Sequence, residues 1–399
     1  MKTTYAYAIG EQDFANLRKD DWLYIDKTIY IEKILLQKNR YYFLARPRHF
    51  GKSLFLSTLQ YFFEGRRDLF KGLYIDSIAW DWTSYPVLHL DLNRERYLNT
   101  MTLEEVLEKN FREWEAKFGI EQLDTNPALR LGTIIAEAHR QTGKQVVILV
   151  DEYDKPLVSN LNVKENFDHD RVLLATLYSN FKSSAEHIRL VFLTGVSRFS
   201  RLSIFSDLNN LNDISFDNEF ADICGITEKE LLRDLRPGIE ALADKKKISF
   251  EEACHLLKRT YDGYRFAEDG SDIYNPWSLL SCMQKQRVGQ FWNQTGLPTV
   301  IAEVLRKANM DLERVFNSRC PLDTLAGMDL TNPDPTALMY QTGYLTIKNY
   351  DSSTDIVTLG IPNEEVSKGL FHSSETYRYG SPGRGPHIIR PYGYSYRNP

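Results

Sequence analysis

The run Val146-Val147-Ile148-Leu149-Val150 constrains the fold more than any other stretch of the chain. Five consecutive apolar residues leave no polar face, so a strand built from them must be covered on both sides. Three further candidate strands are Tyr41–Ala45, Val87–Asp91 and Leu190–Thr194. Helical patterns fall between them, near Leu54–Phe63, Leu103–Phe118, Leu129–Gln141 and Arg171–Ser184. Strands alternating with helices, with connections long enough for right-handed crossovers, predict an α/β fold with a parallel sheet and flanking helices.

After about residue 220 the rhythm changes. Thr227-Glu228-Lys229-Glu230 and Ser249-Phe250-Glu251-Glu252 read as capping boxes, in which hydroxyl and glutamate satisfy free backbone donors reciprocally. Asn275-Pro276-Trp277 reads as an N-cap followed by proline at the first helical position. Tyr344–Tyr350 and Asp355–Ile361 resemble two strands around the turn Asp351-Ser352-Ser353-Thr354, so a winged-helix-like module is expected here. The expected organisation is therefore an α/β domain over 1–220 and a mainly helical domain with a terminal β-hairpin over 221–370. From 371 to 399 a disordered tail is expected, because Gly, Pro, Tyr, Arg and Ser dominate and core-forming residues are nearly absent.

The chemistry concentrates at two strand ends. "RPRHFGKS", residues 46–53, follows the strand Tyr41–Ala45 and precedes a helix, which is the setting of a phosphate-binding loop ending in Gly51-Lys52-Ser53. Free N–H groups of the loop and helix start would surround a phosphate, making Arg48, His49, Phe50, Gly51, Lys52, Ser53 and Leu54 the expected nucleotide contacts. Lys52 would reach the β- and γ-phosphates of ATP, and the Ser53 hydroxyl would coordinate Mg²⁺. An arginine, Arg46, stands where this pattern begins with glycine, followed by Pro47. Arg46, Arg48 and His49 either bring charge to the phosphates or are solvated.

The apolar run 146–150 ends in Asp151-Glu152-Tyr153-Asp154, with acids at the carboxyl end where ligands bind in such sheets. Asp151 is expected to hold the metal through water and Glu152 to act as general base. Thr194, at the tip of the strand Leu190–Thr194, is expected to orient the attacking water or sense the γ-phosphate. Arg198 and Arg201 follow; each either neutralises transition-state charge or anchors the loop it sits in.

With these residues in place, the chain resembles the bacterial AAA-ATPase-like family often found ahead of a PD-(D/E)XK nuclease-like domain. The resemblance runs through "GEQDFANLRKDDWLYIDKT" (10–28), "YYFLARPRHFGKSLFLSTLQYFFEG" (41–65), "VVILVDEYDKPL" (146–157) and "LTGVSRFSRLSIFSDLNNLNDIS" (193–215). It continues through "YDGYRF" (261–266), "YNPWSLL" (274–280) and "LGIPNEEV" (359–366). It implies a P-loop NTPase core of the additional-strand-glutamate kind with a helical region, using ATP and Mg²⁺, and makes the arginine-led loop a family variant. No E-x-K follows residue 366, so nuclease activity is not expected of this chain.

A formal net charge of −5 gives no global basic footprint for nucleic acid, and Lys245-Lys246-Lys247 reads as a solvated helix end. Cys224, Cys254, Cys282 and Cys320 show no metal-ligand spacing and are expected as reduced thiols. No apolar run reaches a membrane span and no signal peptide is visible, so a cytoplasmic protein is expected. ATP is the expected ligand, with a protein partner or a second copy as further candidates. The leading expectation is an ATPase whose nucleotide state moves the helical domain; the alternatives are a nucleotide-dependent binding switch and a DNA-associated factor of defence or mobile elements.

Overall fold

The structure, a computed structural model, describes residues 7–93, 101–121, 124–161, 163–198, 203–205, 208, 210–292, 317–327 and 334–370. Arg201 and the segment 371–399 lie outside the described residues.

Five strands, β1 (Tyr41–Ala45), β2 (Val87–Asp91), β3 (Val146–Asp151), β4 (Ile188–Gly195) and β5 (Asn212–Asp213), form a sheet of order β2-β3-β4-β1-β5. Every pairing in it is parallel. The expected α/β class is therefore observed, with β3 buried along its whole length. Neighbouring residues of β1 show how both faces are covered. Tyr42 stacks on Phe192, which Phe55 of the helix Lys52–Phe63 also touches. Phe43 points the other way, to Tyr153 and Phe205, and Phe205 stacks on Tyr178 of the helix Lys164–Ser183. Successive strand residues face opposite sides, so these two helices cover opposite faces.

The strand order brings three chain segments to one end of the sheet. β4 lies between β1 and β3, with Leu44 opposite Thr194 and Val150 opposite Leu193. The strand tip carrying Thr194 is thus held between the phosphate-loop strand and the acidic strand. β5 escaped the sequence reading because Asn212 and Asp213 contain no apolar residue; it is a two-residue edge. The helices Phe14–Lys19 and Ile29–Gln37 also precede β1.

Beyond the sheet, all three expected caps are present. Thr227 and Ser249 form complete capping boxes, and Asn275 accepts from the Ser278 amide ahead of Pro276. The helices Glu228–Asp234, Arg236–Lys246, Phe250–Tyr261 and Pro276–Lys285 bury Leu231, Leu242, Leu257 and Leu279 in a cluster of their own. Lys245 and Lys246 end a helix and are exposed.

Strands β6 (Ile226–Thr227) and β7 (Ile273–Tyr274) pair antiparallel. The expected hairpin is β9 (Thr346–Asp351) with β10 (Ile356–Gly360), joined by an unexpected β8 (Arg319–Pro321) in the order β8-β10-β9. With the short helices Leu322–Ala326 and Pro335–Gln341 between β8 and β9, the chain runs strand, helix, helix, hairpin. This part shares its buried cluster with the main sheet, through Leu325, Leu338, Tyr340 and Leu359. All four cysteines are free thiols, and no helix among the described residues is long and apolar enough to cross a membrane.

Candidate functional site

The loop between β1 and the helix Lys52–Phe63 has the backbone its sequence requires. Gly51 is the helix N-cap at φ 98° and brings no side chain to the free amides of the first turn. A Cβ built on Gly51 would meet no atom within 4 Å, so an anion can approach the helix start from open space. The helix begins at Lys52, two residues earlier than the apolar pattern indicated.

Three chain segments meet at this end of the sheet. Lys52 is buried, with Nζ 3.2 Å from Glu152 Oε1 and 3.1 Å from the Arg46 carbonyl oxygen. The Thr194 hydroxyl donates to Asp151 Oδ1 at 2.5 Å, and the Glu152 amide donates to the same oxygen at 3.0 Å. Ser53 also hydrogen-bonds to Asp151. Burial, followed by the Glu152 charge, raises the Asp151 pKa, and these hydrogen bonds oppose the rise. A hydroxyl and a carboxylate are the hard oxygen donors that Mg²⁺ takes, and a cation would relieve the burial of Asp151. Glu152 itself sits at φ 52°, a left-handed conformation rare for a side chain of its kind and of the sort found at functional sites.

Asp154, not singled out in the sequence, braces this arrangement. It accepts the Val196 amide at 3.2 Å and the Ser197 amide at 2.8 Å, holding the loop that leaves β4. Tyr153 assists, its amide donating to the Thr194 carbonyl and its hydroxyl to the Ser197 carbonyl. Gly195 must be glycine, since a Cβ there would fall 2.6 Å from the Tyr153 ring. The available signal was the third carboxylate in Asp-Glu-Tyr-Asp, beyond the two that a metal and a base need.

Arg46 corrects both sequence expectations: it is neither at the phosphates nor solvated. It is 1% exposed, and its guanidinium donates to the carbonyls of Ala45 and Ser215 at 2.9 and 2.7 Å and to that of Phe220 at 3.2 Å. It also lies 4.6 Å from the Phe266 ring centroid. The arginine that replaces glycine thus ties the loop's first residue to the segment following β5.

The remaining loop residues divide. Arg48 is exposed, Leu54 half-buried, and Phe50 is buried edge-on to Tyr264 and Phe266. The His49 ring lies 4.7 Å from that of Trp277. Of the two roles open to Arg198, the geometry displays the anchoring one: its Nε donates to Asp213 at the end of β5 at 2.8 Å, its guanidinium covers the Phe216 ring, and its amide donates to Gln341 Oε1 at 3.0 Å. The structure therefore gathers Lys52, Ser53, Asp151, Glu152 and Thr194, and directs Arg198 elsewhere.

Residues 8–205 match the AAA-ATPase-like family, described as predicted AAA-ATPase. The chain is also 37% identical over 369 residues to a protein of Azotobacter chroococcum mcd 1 described as "Uncharacterized protein in vnfD 5'region", covering 91% of this chain and 68% of that relative.

Proposed function

The chain belongs to this family of predicted AAA-ATPases, and on that premise we propose that it binds ATP with Mg²⁺ at the loop 46–53 and hydrolyses it. The observation that carries this reading is the meeting of Lys52, Ser53, Asp151, Glu152 and Thr194 from three separate strand ends. Arg48, His49, Phe50, Gly51 and Leu54 contribute the rest of the loop and helix start around the phosphates. Ser53 and Asp151 would hold Mg²⁺, which supplies charge neutralisation at the phosphate oxygens. Lys52 exchanges Glu152 for the β- and γ-phosphates, and the released Glu152 accepts a proton from the attacking water. Thr194 holds Asp151 and would orient the same water.

The second working part is residues 221–370, which touch the loop at several points and are suited to follow its state. Phe50 contacts Tyr264 and Phe266, its carbonyl accepts the Gly225 amide, and Gly343 packs against Pro47. The strand-helix-helix-hairpin order is that of a winged-helix-like module. Its helix Pro335–Gln341, however, is buried from Ala337 to Gln341, which argues against that helix reading DNA. A nucleotide-dependent switch with little turnover is the second reading, favoured by the ion pair that occupies both Lys52 and Glu152.

Calorimetry with MgATP and phosphate-release assays test the assignment. Lys52→Ala should lose ATP binding; unchanged affinity would place the nucleotide elsewhere. Turnover in the parent chain without DNA or partner separates the ATPase from the switch.

A further inference from the structure

We propose that a single small anion of halide size binds in the cavity between Arg46 and Arg198, as a structural ion separate from any phosphate held by the loop. The proposal does not depend on the nucleotide reading above.

Four parts of the chain meet at this cavity of about 20 Å³. It is lined by Arg46 and Pro47 after β1, Arg198 after β4, Phe216 after β5, and Tyr340 and Gln341 of the helix Pro335–Gln341. Such a space takes one small occupant. Two guanidinium groups are brought to it, and each has a donor left over. Arg46 is 1% exposed, and its Nε is buried with no hydrogen-bond partner among the described residues. Arg198 directs Nε and Nη2 to Asp213, while its Nη1 is likewise buried and without a partner among the described residues. The Tyr340 phenol lies close to both: burial raises its pKa, and the charges of Arg46 and Arg198 oppose the rise.

The charges around the cavity do not balance. Arg46 donates to the carbonyl oxygens of Ala45, Ser215 and Phe220, none of which carries a full charge. Asp213 pairs with Arg198 and also accepts the Ser215 amide. Two largely buried cations thus share one carboxylate, whereas buried charges are ordinarily compensated. Burial lowers the Arg46 pKa, and the Arg198 charge acts in the same direction, so an anion between them would relieve both effects. A water molecule would accept from the two free N–H groups but turn its own hydrogens toward walls such as Pro47, Val196 and Phe216. A halide only accepts, which matches guanidinium groups that only donate. Bound there, it would tie the first residue of the phosphate loop to the loop after β4 and to the helix Pro335–Gln341.

Thermal unfolding of the full chain in chloride, bromide or gluconate, at one ionic strength, tests this. Raising chloride or bromide from about 10 mM to about 300 mM should lift Tm saturably by about 2 °C or more, with gluconate as the balancing anion. Arg198→Met should lose this halide response whatever its own Tm, and Lys52→Ala should keep it. Should Arg198→Met fail to fold, crystals of the parent chain grown in sodium bromide decide the matter: an anomalous bromine peak is expected between Arg46 and Arg198. The same Tm in all three anions, an undiminished halide response in Arg198→Met, or a bromide crystal with only water in the cavity would each overturn the site. Loss of the response in Lys52→Ala would assign the anion to the phosphate loop instead and overturn it as well.

Discussion

Lys52 and Glu152 form an ion pair of 3.2 Å in which the lysine side chain is 3% exposed and the glutamate 15%. The pair joins the phosphate loop to the end of the acidic strand and occupies the two side chains that the proposed reaction needs apart. In the proposed reaction, nucleotide arrival would substitute phosphate for carboxylate around Lys52. That exchange keeps the buried ammonium paired throughout, which is the condition under which a buried charge is tolerated.

Glu152→Gln keeps the shape of the side chain, removes the charge opposite Lys52 and cannot accept a proton. ATP should bind at least as tightly as in the parent, and turnover should fall by about 10²–10⁴-fold. Calorimetry and phosphate release read the two effects separately. Parent-like turnover would move the base to another residue.

Arg46→Gly restores the glycine usual at the start of a phosphate loop, and it should destabilise this protein. The carbonyls of Ser215 and Phe220 would lose their donor, and a cavity would open under Phe266. A loss of about 2–4 kcal/mol is expected in urea unfolding. An unchanged midpoint would show that water replaces the guanidinium without cost.

The pH dependence of stability should carry the mark of Asp154. Burial, and then the Glu152 charge, pushes its carboxyl up to about 6. Its unfolded value is about 3.9, so the folded state holds the proton more firmly. Its contribution to stability is fully present below about pH 4 and is lost as pH rises through about 6. Asp262, pushed up to about 6 by burial, acts in the same direction. Asp154→Asn carries no charge to titrate, so between about pH 5 and pH 7 it should lose roughly 1 kcal/mol less stability than the parent. Parallel pH profiles for the two proteins would show that Asp154 does not titrate in this window.

What could be read from the sequence was whatever is encoded locally. The four apolar strands of the sheet, the Thr227 and Ser249 capping boxes and the Asn275-Pro276 helix start depend on neighbours a few residues away, and each is found in place. β5 and β8 were not legible, because short strands with polar or mixed residues owe their pairing to the edge they meet. The role of Arg46 was hidden for a related reason: its acceptors lie beyond β5, and no pattern around residue 46 announces them. Lys52, Ser53, Asp151 and Glu152 were identifiable as a set from their strand-end contexts. The bracing by Asp154 required the fold, since the amides it accepts belong to the loop after β4.

Arg198 and Asp213 allow the two possible roles of the arginine to be distinguished. Asp213 lies at the end of β5, accepts the Ser215 amide at 2.9 Å and receives the Arg198 guanidinium, so the pair closes the loop after β4 onto the sheet edge. If Arg198 acts only as this anchor, removing either partner releases the same loop. Arg198→Ala and Asp213→Ala should then lower turnover and stability by similar amounts. The double variant should be little worse than either single one, with a coupling energy of about 0.5–3 kcal/mol in the unfolding cycle. An arginine that meets the transferred phosphate behaves differently: its loss would cut turnover by about 10³-fold or more while Asp213→Ala left most of it, because the cation would remain. Phosphate release and urea unfolding on the three variants decide the matter. The geometry of the pair predicts the symmetric outcome, and a large excess loss in Arg198→Ala would overturn it.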